Sequence, residues 1–306
     1  MVNLFRSRTY FYNALLIILT FIILSIVGLY YHEAVKGGIS TGVANILDAG
    51  RQFDKAHNGS HVDHVEESNH TAKYEECSWV PDNFNILTVM KTGASEAFHK
   101  IPTQLLTAMK CIPHFYVFSD MKQKIGGVEV YDSLETMLPA AMDGNKDFDI
   151  YRRQKLCASD QDTCNKGYKF GKEGWNLDKY KNIHISERSY NMSPDYDWYF
   201  TIDADTYVFW RNLIAWLKNI DPKTKHYIGH VWWFADLPFA YGGTGYLLSQ
   251  AAMADFVGQH PGIANKYDVE TAKWEGGDFM LGKALKETIS LPVIEAVRPR
   301  FHGHAS

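Results

Sequence analysis

Two aspartates separated by one residue, Asp203 and Asp205, are the side chains of this sequence best placed to do chemistry. They follow the apolar segment 198–202, which predicts a β-strand that ends in two carboxylates. Neighbouring carboxylates repel each other unless a cation neutralises them, and oxygen ligands suit Mn²⁺ or Mg²⁺. The pair therefore predicts a metal site, and the alternative is a pair of turn-capping aspartates. Other Asp-x-Asp patterns do not end an apolar strand: 147/149, 160/162 and 195/197.

Further along the chain, Asp278 follows two glycines and precedes a predicted helix. From there it acts either as a general base or as a cap of the helix N-terminus. The glycine turn 242–245, which includes Gly243, lies between tyrosines, so it is either a plain turn or a place where the backbone approaches a flat ligand. Near the end of the sequence, His302 and His304 are either further metal ligands or histidines of a solvated tail.

The elements that must position these side chains belong to an α/β domain. After residue 80, short apolar runs alternate with amphipathic stretches, a pattern typical of a parallel sheet flanked by helices. Because ligands bind where the carboxyl ends of parallel strands emerge, Asp203 and Asp205 are predicted to lie at such an edge. Strands are predicted at 85–90, 114–119, 128–131, 182–185, 198–202 and 225–231, and helices at 101–109 and 211–220.

Composition and charge exclude several classes of protein. Of 306 residues, 46% are apolar and 22% are charged, which is ordinary for a globular protein and unlike disordered, collagenous or coiled-coil chains. The 31 Lys and Arg residues against 35 Asp and Glu give a net charge of −4, with no basic stripe. No nucleic-acid partner held by phosphate contacts is therefore expected.

The N-terminus predicts a membrane anchor. Residues 11–31 are dominated by apolar side chains and carry no charge, and this length suits a transmembrane helix. Because Arg6 and Arg8 precede it, the tail 1–10 is predicted to be cytosolic and the remainder lumenal. The alternative is a cleaved signal peptide.

Beyond the predicted anchor, segment 32–80 is polar, contains acceptor sequons at Asn58 and Asn69, and is interpreted as a stem that tethers a domain at 81–306. All four cysteines lie on the predicted lumenal side, an oxidising compartment, so two disulfides are expected, and the alternative is buried free thiols. The sequence leaves all three pairings of these cysteines open: Cys77, Cys111, Cys157 and Cys164.

Taken in order, these features resemble the Fringe-like family of inverting glycosyltransferases, glycosyltransferase family 31, and its fungal members in particular. The resemblance extends from about residue 85 to residue 304. It rests on the order and spacing of six landmarks: Val89-Met90-Lys91-Thr92 with Phe98-His99, Phe118-Ser119-Asp120, the segment 198–208 around Asp203-Ala204-Asp205, the Gly-Gly-Thr-Gly turn, Gly277-Asp278-Phe279-Met280-Leu281-Gly282, and Phe301-His302-Gly303-His304.

The resemblance implies roles for individual residues. The second acid of the family's strand end binds Mn²⁺, which implies that Asp205 is a metal ligand and that Asp203 lies toward the ribose or the water shell of the metal. The family's Phe-His motif implies that His302 is a further metal ligand, with His304 as a second candidate.

The family's catalytic base corresponds to Asp278, although Gly277 replaces the acid that usually precedes it. Lys91, Thr92 and Asp120 match positions near the nucleotide, and Gly243 belongs to the glycine turn that approaches it. Family members commonly continue further than this sequence does, so a truncated C-terminus is expected.

The resemblance thus implies a GT-A-like, mostly parallel sheet that binds a nucleotide-diphospho-sugar, preceded by a transmembrane helix. The implied activity is the inverting, Mn²⁺-dependent (or Mg²⁺-dependent) transfer of a hexose or N-acetylhexosamine. A UDP-sugar is the donor, a hydroxyl of a glycan or glycoprotein is the acceptor, and a β1,3 bond is formed. A type II protein of the Golgi or ER membrane is expected. The alternatives are a catalytically inactive lumenal glycan-binding protein and a phosphohydrolase, for which no second His and Asp cluster is found.

Overall fold

The computed structural model describes residues 75–156, 161 and 170–296. The strands are β1 (Ile86–Lys91), β2 (Phe115–Ser119), β3 (Gln123–Ile125), β4 (Val128–Asp132), β5 (Trp198–Asp203), β6 (Tyr227–Gly229), β7 (Val231–Phe234), β8 (Leu237–Ala240), β9 (Tyr246–Ser249) and β10 (Ile294–Glu295). The α-helices are α1 (Ala94–Leu106), α2 (Pro139–Met142), α3 (Asp149–Lys155), α4 (Phe170–Asp178), α5 (Lys181–Met192), α6 (Trp210–Leu217), α7 (Gln250–Met253), α8 (Ile263–Thr271) and α9 (Gly277–Ile289).

Eight of these strands form one mixed sheet in the order β10-β6-β9-β5-β1-β2-β4-β3. The central strand β1 pairs in parallel with β5 on one side and β2 on the other. All six residues of β1 are buried, as expected for a continuous apolar run covered on both faces. The parallel strands β1, β2 and β5 therefore end at the same edge of the sheet, and β7 and β8 form a separate hairpin.

The predicted fold class is wrong as stated, because it includes a membrane-spanning helix. No helix of the described residues is long and apolar enough to cross a bilayer. The longest of them, α1 and α9, have 13 residues each and span about 20 Å, against about 30 Å of hydrocarbon. The segment 11–31 lies outside the described residues. The structure shows an α/β fold in which β9 runs antiparallel between β5 and β6.

A strand predicted at 182–185 is also wrong, because these residues belong to α5. The alternation of isoleucine with polar residues suggests a strand, but Asn182, Ile183, His184 and Ile185 are all buried within the first turns of the helix. His184 Nε2 lies 2.7 Å from Asp268 Oδ1 on α8. Tertiary contacts on all sides of the helix therefore override a local pattern that is ambiguous in so short a run.

Helices cover both faces of the sheet. On one face, Val89 and Tyr199 belong to a core cluster that also contains Ile185 of α5 and Leu281 of α9. Because side chains alternate along a strand, Phe200 lies on the opposite face of β5, where its ring packs edge-on against Trp210 of α6 at 5.7 Å. The strand ends that form the candidate site are therefore held between two packed layers.

One disulfide attaches the first described residues to the domain. Cys77 is bonded to Cys111, and their Cα atoms are 5.3 Å apart. Closing a loop of 34 residues stabilises the fold by about 3–4 kcal/mol in the chain-entropy model. Cys157 and Cys164 lie outside the described residues. The predicted boundary at residues 80 and 81 stays a prediction, although Cys77 and Val80 are already buried.

Candidate active site

A cleft opens at the edge of the sheet where the parallel strands β1, β2 and β5 end. β1 ends at Lys91, which pairs with Asp203, the last residue of β5. β2 ends at Ser119, and Asp120 follows it directly. A cavity of about 390 Å³ lies over these ends, and we call it the first cavity. Its charged lining consists of three lysines and four carboxylates: Lys91, Lys100, Lys181, Glu96, Asp178, Asp203 and Asp205.

A buried ionic network forms the floor of the first cavity. The ammonium of Lys91 contacts the carboxylate of Asp178 and lies 3.1 Å from Asp203 Oδ1. Lys181 Nζ lies 3.3 Å from Asp178 Oδ1 and 3.3 Å from Asp120 Oδ1. Both lysines are almost fully buried. The network fixes the end of α4, at Asp178, against the ends of three strands.

The neighbouring opposite charges shift the pKa values of Lys91 and Asp178 so that the ionised form of each is favoured. Burial by itself lowers the pKa of Lys91, but the negative charges of Asp178 and Asp203 outweigh it and raise that pKa above its usual range. Burial likewise raises the pKa of Asp178, but Lys91 and Lys181 outweigh it and lower that pKa below the ordinary value. Lys91 and Asp178 are therefore both ionised at neutral pH.

Of Thr92 and Asp120, both predicted to lie near the nucleotide, Thr92 lines the first cavity and Asp120 does not. Asp120 is 1% exposed and lies beneath the first cavity rather than in its lining. It accepts a 2.6 Å hydrogen bond from the Ala94 N–H at the start of α1 and contacts Lys181. Thr92 lines the first cavity, and its carbonyl accepts a 3.0 Å hydrogen bond from Lys181. Asp120 therefore positions α1 and Lys181.

Two of the predicted metal ligands, Asp203 and Asp205, line the same cavity. The Asp205 side chain is 63% exposed, and its Oδ2 lies 2.9 Å from the ammonium of Lys100, which also lies 2.6 Å from Glu96 Oε2. The ammonium of Lys100 thus already neutralises the carboxylate of Asp205. Carboxylate oxygens that face a shared open cavity are the donors that Mn²⁺ and Mg²⁺ prefer, so Asp203 and Asp205 fit a divalent cation.

The remaining predicted metal ligands cannot be placed. His302 and the second candidate, His304, lie outside the described residues. Within 75–156, 161 and 170–296, no group of three or more His, Cys, Asp or Glu side chains is arranged to hold a metal. Asp203 and Asp205 are the predicted ligands that lie within the described residues.

A second cavity, of about 270 Å³, adjoins the first and contains the predicted base, Asp278. Gly243 and Tyr241 of the glycine turn also line it, together with aromatic side chains of the β7–β8 hairpin. A Cβ atom on Gly243 would lie 2.9 Å from the Tyr241 ring, so this turn lies close against that ring. The described residues that border both cavities are Lys91, Trp175, Asp178 and Asp203.

The carboxylate of Asp278 is held by two backbone donors. Its Oδ2 accepts a 2.8 Å hydrogen bond from the Gly242 N–H, and its Oδ1 accepts one of 2.8 Å from the Phe279 N–H. Burial raises the pKa of Asp278, and this effect exceeds the lowering by the two donors and by Lys91. Each carboxylate oxygen keeps a further acceptor position, so a raised pKa and a fixed orientation suit a general base.

Packing explains why Gly277 occupies the position that carries an acid in the family that the sequence resembles. A Cβ atom on Gly277 would lie 2.6 Å from Asn182 Oδ1 and 3.0 Å from the backbone oxygens of Asp178 and Lys179. The start of α9 therefore lies against the junction of α4 and α5 too closely for a side chain. Gly276, with φ at 95°, makes the turn that begins the helix.

Sequence reasoning missed the contribution of α4 and the start of α5. Trp175 and Asp178 lie on α4, and Lys181 begins α5. None of them follows a predicted strand, and the strand wrongly predicted at 182–185 took the place of α5, the helix that Lys181 begins. The one available signal was the opposite charge of Asp178 and Lys181 three positions apart, which the structure shows as an ion pair of 3.3 Å across the junction of α4 and α5.

Comparison with protein-family models gives no match to this chain, and comparison with curated proteins finds no similar sequence. The assignment of a function therefore depends on the geometry and electrostatics of the two adjoining cavities.

Proposed function

We propose that the chain is an inverting glycosyltransferase that moves a hexose or N-acetylhexosamine from a UDP-sugar to a hydroxyl of a glycan or glycoprotein. The observation that carries the proposal is the adjacency of the two cavities. Carboxylates suited to a divalent cation line the first, and the half-buried carboxylate of Asp278 lines the second. The resemblance to glycosyltransferase family 31 extends the proposal to a β1,3 linkage.

The charge of the first cavity supports a requirement for a divalent cation. Three lysines and four carboxylates line it, and two of those lysines are already engaged in the buried network. A nucleoside diphosphate carries at least two negative charges and would be repelled by this lining. Asp203 and Asp205 would hold Mn²⁺, or Mg²⁺, which when bound stabilises negative charge on the departing diphosphate.

The chemistry assigned to the chain's own residues begins at Asp278. Its carboxylate takes the proton of the acceptor hydroxyl, and the hydroxyl oxygen forms a bond to the anomeric carbon of the donor. The bond between that carbon and the diphosphate oxygen breaks, and its electron pair leaves with UDP. One displacement from the opposite face inverts the configuration, so an α-linked donor gives a β-linked product. The proton on Asp278 then passes to solvent.

The second candidate function is a catalytically inactive protein that binds glycans. The β7–β8 hairpin favours it, because Trp232 and Trp233 are 57% and 65% exposed. Exposed aromatic rings of this kind suit the apolar faces of sugars. Such a protein would bind glycans without consuming a nucleotide-sugar, so release of UDP separates the two functions.

We also propose that the domain works in the lumen of the Golgi or ER. The disulfide between Cys77 and Cys111 supports this compartment, because structural disulfides persist in oxidising environments.

The proposal is tested by measuring UDP release from a panel of UDP-hexoses and UDP-N-acetylhexosamines, with simple glycosides as acceptors. We expect the full-length chain to release UDP from at least one donor with MnCl₂ present, at a rate at least about tenfold above that with EDTA. The control variant Asp195→Ala changes an exposed aspartate of another Asp-x-Asp pattern, outside both cavities, and should behave as wild type. Binding of glycans without any release of UDP would instead favour the second candidate.

A further inference from the structure

Trp175 on α4 is the one apolar side chain among the described residues that border both cavities. Its side chain is 65% exposed. The other three residues that border both cavities are charged and belong to the buried network: Lys91, Asp178 and Asp203. This large exposed ring lies at the junction of the two cavities, where a ligand that spans both would cover it.

The position of Trp175 is fixed by the network below it. Trp175 precedes Asp178 by three residues, so the two side chains lie on the same face of α4. Because the carboxylate of Asp178 contacts Lys91 and Lys181, this end of the helix is held against the strand ends. The indole is therefore presented at the cleft by a rigid support rather than by a loop.

The proposed reaction determines which part of the substrates lies at the junction of the two cavities. The diphosphate belongs with the carboxylates of the first cavity, and the acceptor hydroxyl belongs beside Asp278 in the second. The anomeric carbon lies between these two groups during transfer, so the ring of the transferred sugar must lie where the cavities meet. The apolar face of a pyranose matches an aromatic ring, and burying that ring adds favourable free energy.

Building on the proposed function, we propose that Trp175 is the platform on which the ring of the transferred sugar stacks. It contributes to donor recognition through the sugar and not through the nucleotide. It is a binding residue for the donor, and it is distinct from the carboxylates that face the diphosphate.

The test compares the affinities of the full-length chain for UDP and for the UDP-sugar that binds best, both with MnCl₂, by isothermal titration calorimetry. We expect Trp175→Ala to raise the Kd for the UDP-sugar about tenfold while the Kd for UDP stays within about twofold. Trp175→Phe, which keeps a ring, should recover most of the lost affinity.

Phe209→Ala is the control, because Phe209 is an aromatic side chain that is 71% exposed and lines neither cavity. It should leave both affinities unchanged. Equal affinities of the wild type and Trp175→Ala for the UDP-sugar would overturn the inference, and so would equal losses for UDP and UDP-sugar. If the wild type binds no UDP-sugar, the proposed function fails and the inference fails with it.

Discussion

Asp278→Asn is expected to lower kcat by about 10²–10⁴-fold, because removal of a general base costs a rate factor of this size. The Kd for the UDP-sugar should stay within about threefold, since Asp278 lines the second cavity and not the first. Asparagine has nearly the same shape as aspartate, but its amide cannot accept hydrogen bonds from both backbone donors. Initial rates of UDP release, together with calorimetry, separate the loss of rate from any loss of binding.

The matched control for this prediction is Glu275→Gln. Glu275 lines the second cavity together with Asp278 but is exposed to solvent. Its change should lower kcat by less than about threefold. An equal loss of rate in both variants would mean that the charge of the cavity, rather than a base at Asp278, supports the reaction.

The raised pKa of Asp278 also sets a direction for the dependence on pH. The base works only when ionised, so kcat/KM should fall as the pH drops through the pKa of Asp278. Because burial raises that pKa, this acidic limb should lie above the ordinary aspartate value of about 3.9. The same limb should be missing from the residual activity of Asp278→Asn.

Lys91→Met is expected to lower the free energy of unfolding by about 3–5 kcal/mol, the usual cost of removing one partner from a buried ionic network. The change leaves the carboxylates of Asp178 and Asp203 without their shared ammonium. Urea unfolding of the full-length chain, followed by circular dichroism, measures the difference. Lys124→Met is the control, because Lys124 is exposed and lies 3.6 Å from Glu129, so its loss should cost less than about 1 kcal/mol.

The effect of Lys91→Met should depend on pH in a defined direction. Lys91 lowers the pKa of Asp178 in the folded protein, so its contribution is fully present above the ordinary aspartate pKa. It is lost as the pH falls through the lowered pKa of Asp178. The difference between wild type and variant should therefore shrink in strong acid. A difference below about 1 kcal/mol at pH 7 would show that the network contributes little to stability.

The strand ends of the site could be predicted from the sequence because each follows a continuous apolar run. The predictions at 85–90, 114–119 and 198–202 correspond to β1, β2 and β5, whose boundaries differ by one residue. Parallel strands that end together bring Lys91 and Asp203 side by side, although they are 112 positions apart in the sequence. Asp203 ends β5 and Asp205 follows two residues later, so both line the first cavity at this edge of the sheet.

The positions of α4 and α5 beside the cleft could not be predicted, because they depend on contacts between distant segments. The segment 182–185 has the alternation of a strand, and only its packing against α8, α9 and the sheet makes it helical. Likewise, the four-residue strand β9 follows a glycine turn and lacks a distinct signal of its own. Asp178 and Trp175 can therefore be identified as site residues only from the folded structure.

The central claim is that the first cavity binds a nucleoside diphosphate through a divalent cation held by Asp203 and Asp205. Titration of UDP into the full-length chain by calorimetry, with MnCl₂ or with EDTA, tests it most directly. We expect UDP to bind at least about tenfold more tightly with Mn²⁺, and Asp205→Ala to remove most of this difference. Equal binding with and without Mn²⁺, or no binding under either condition, would contradict the claim.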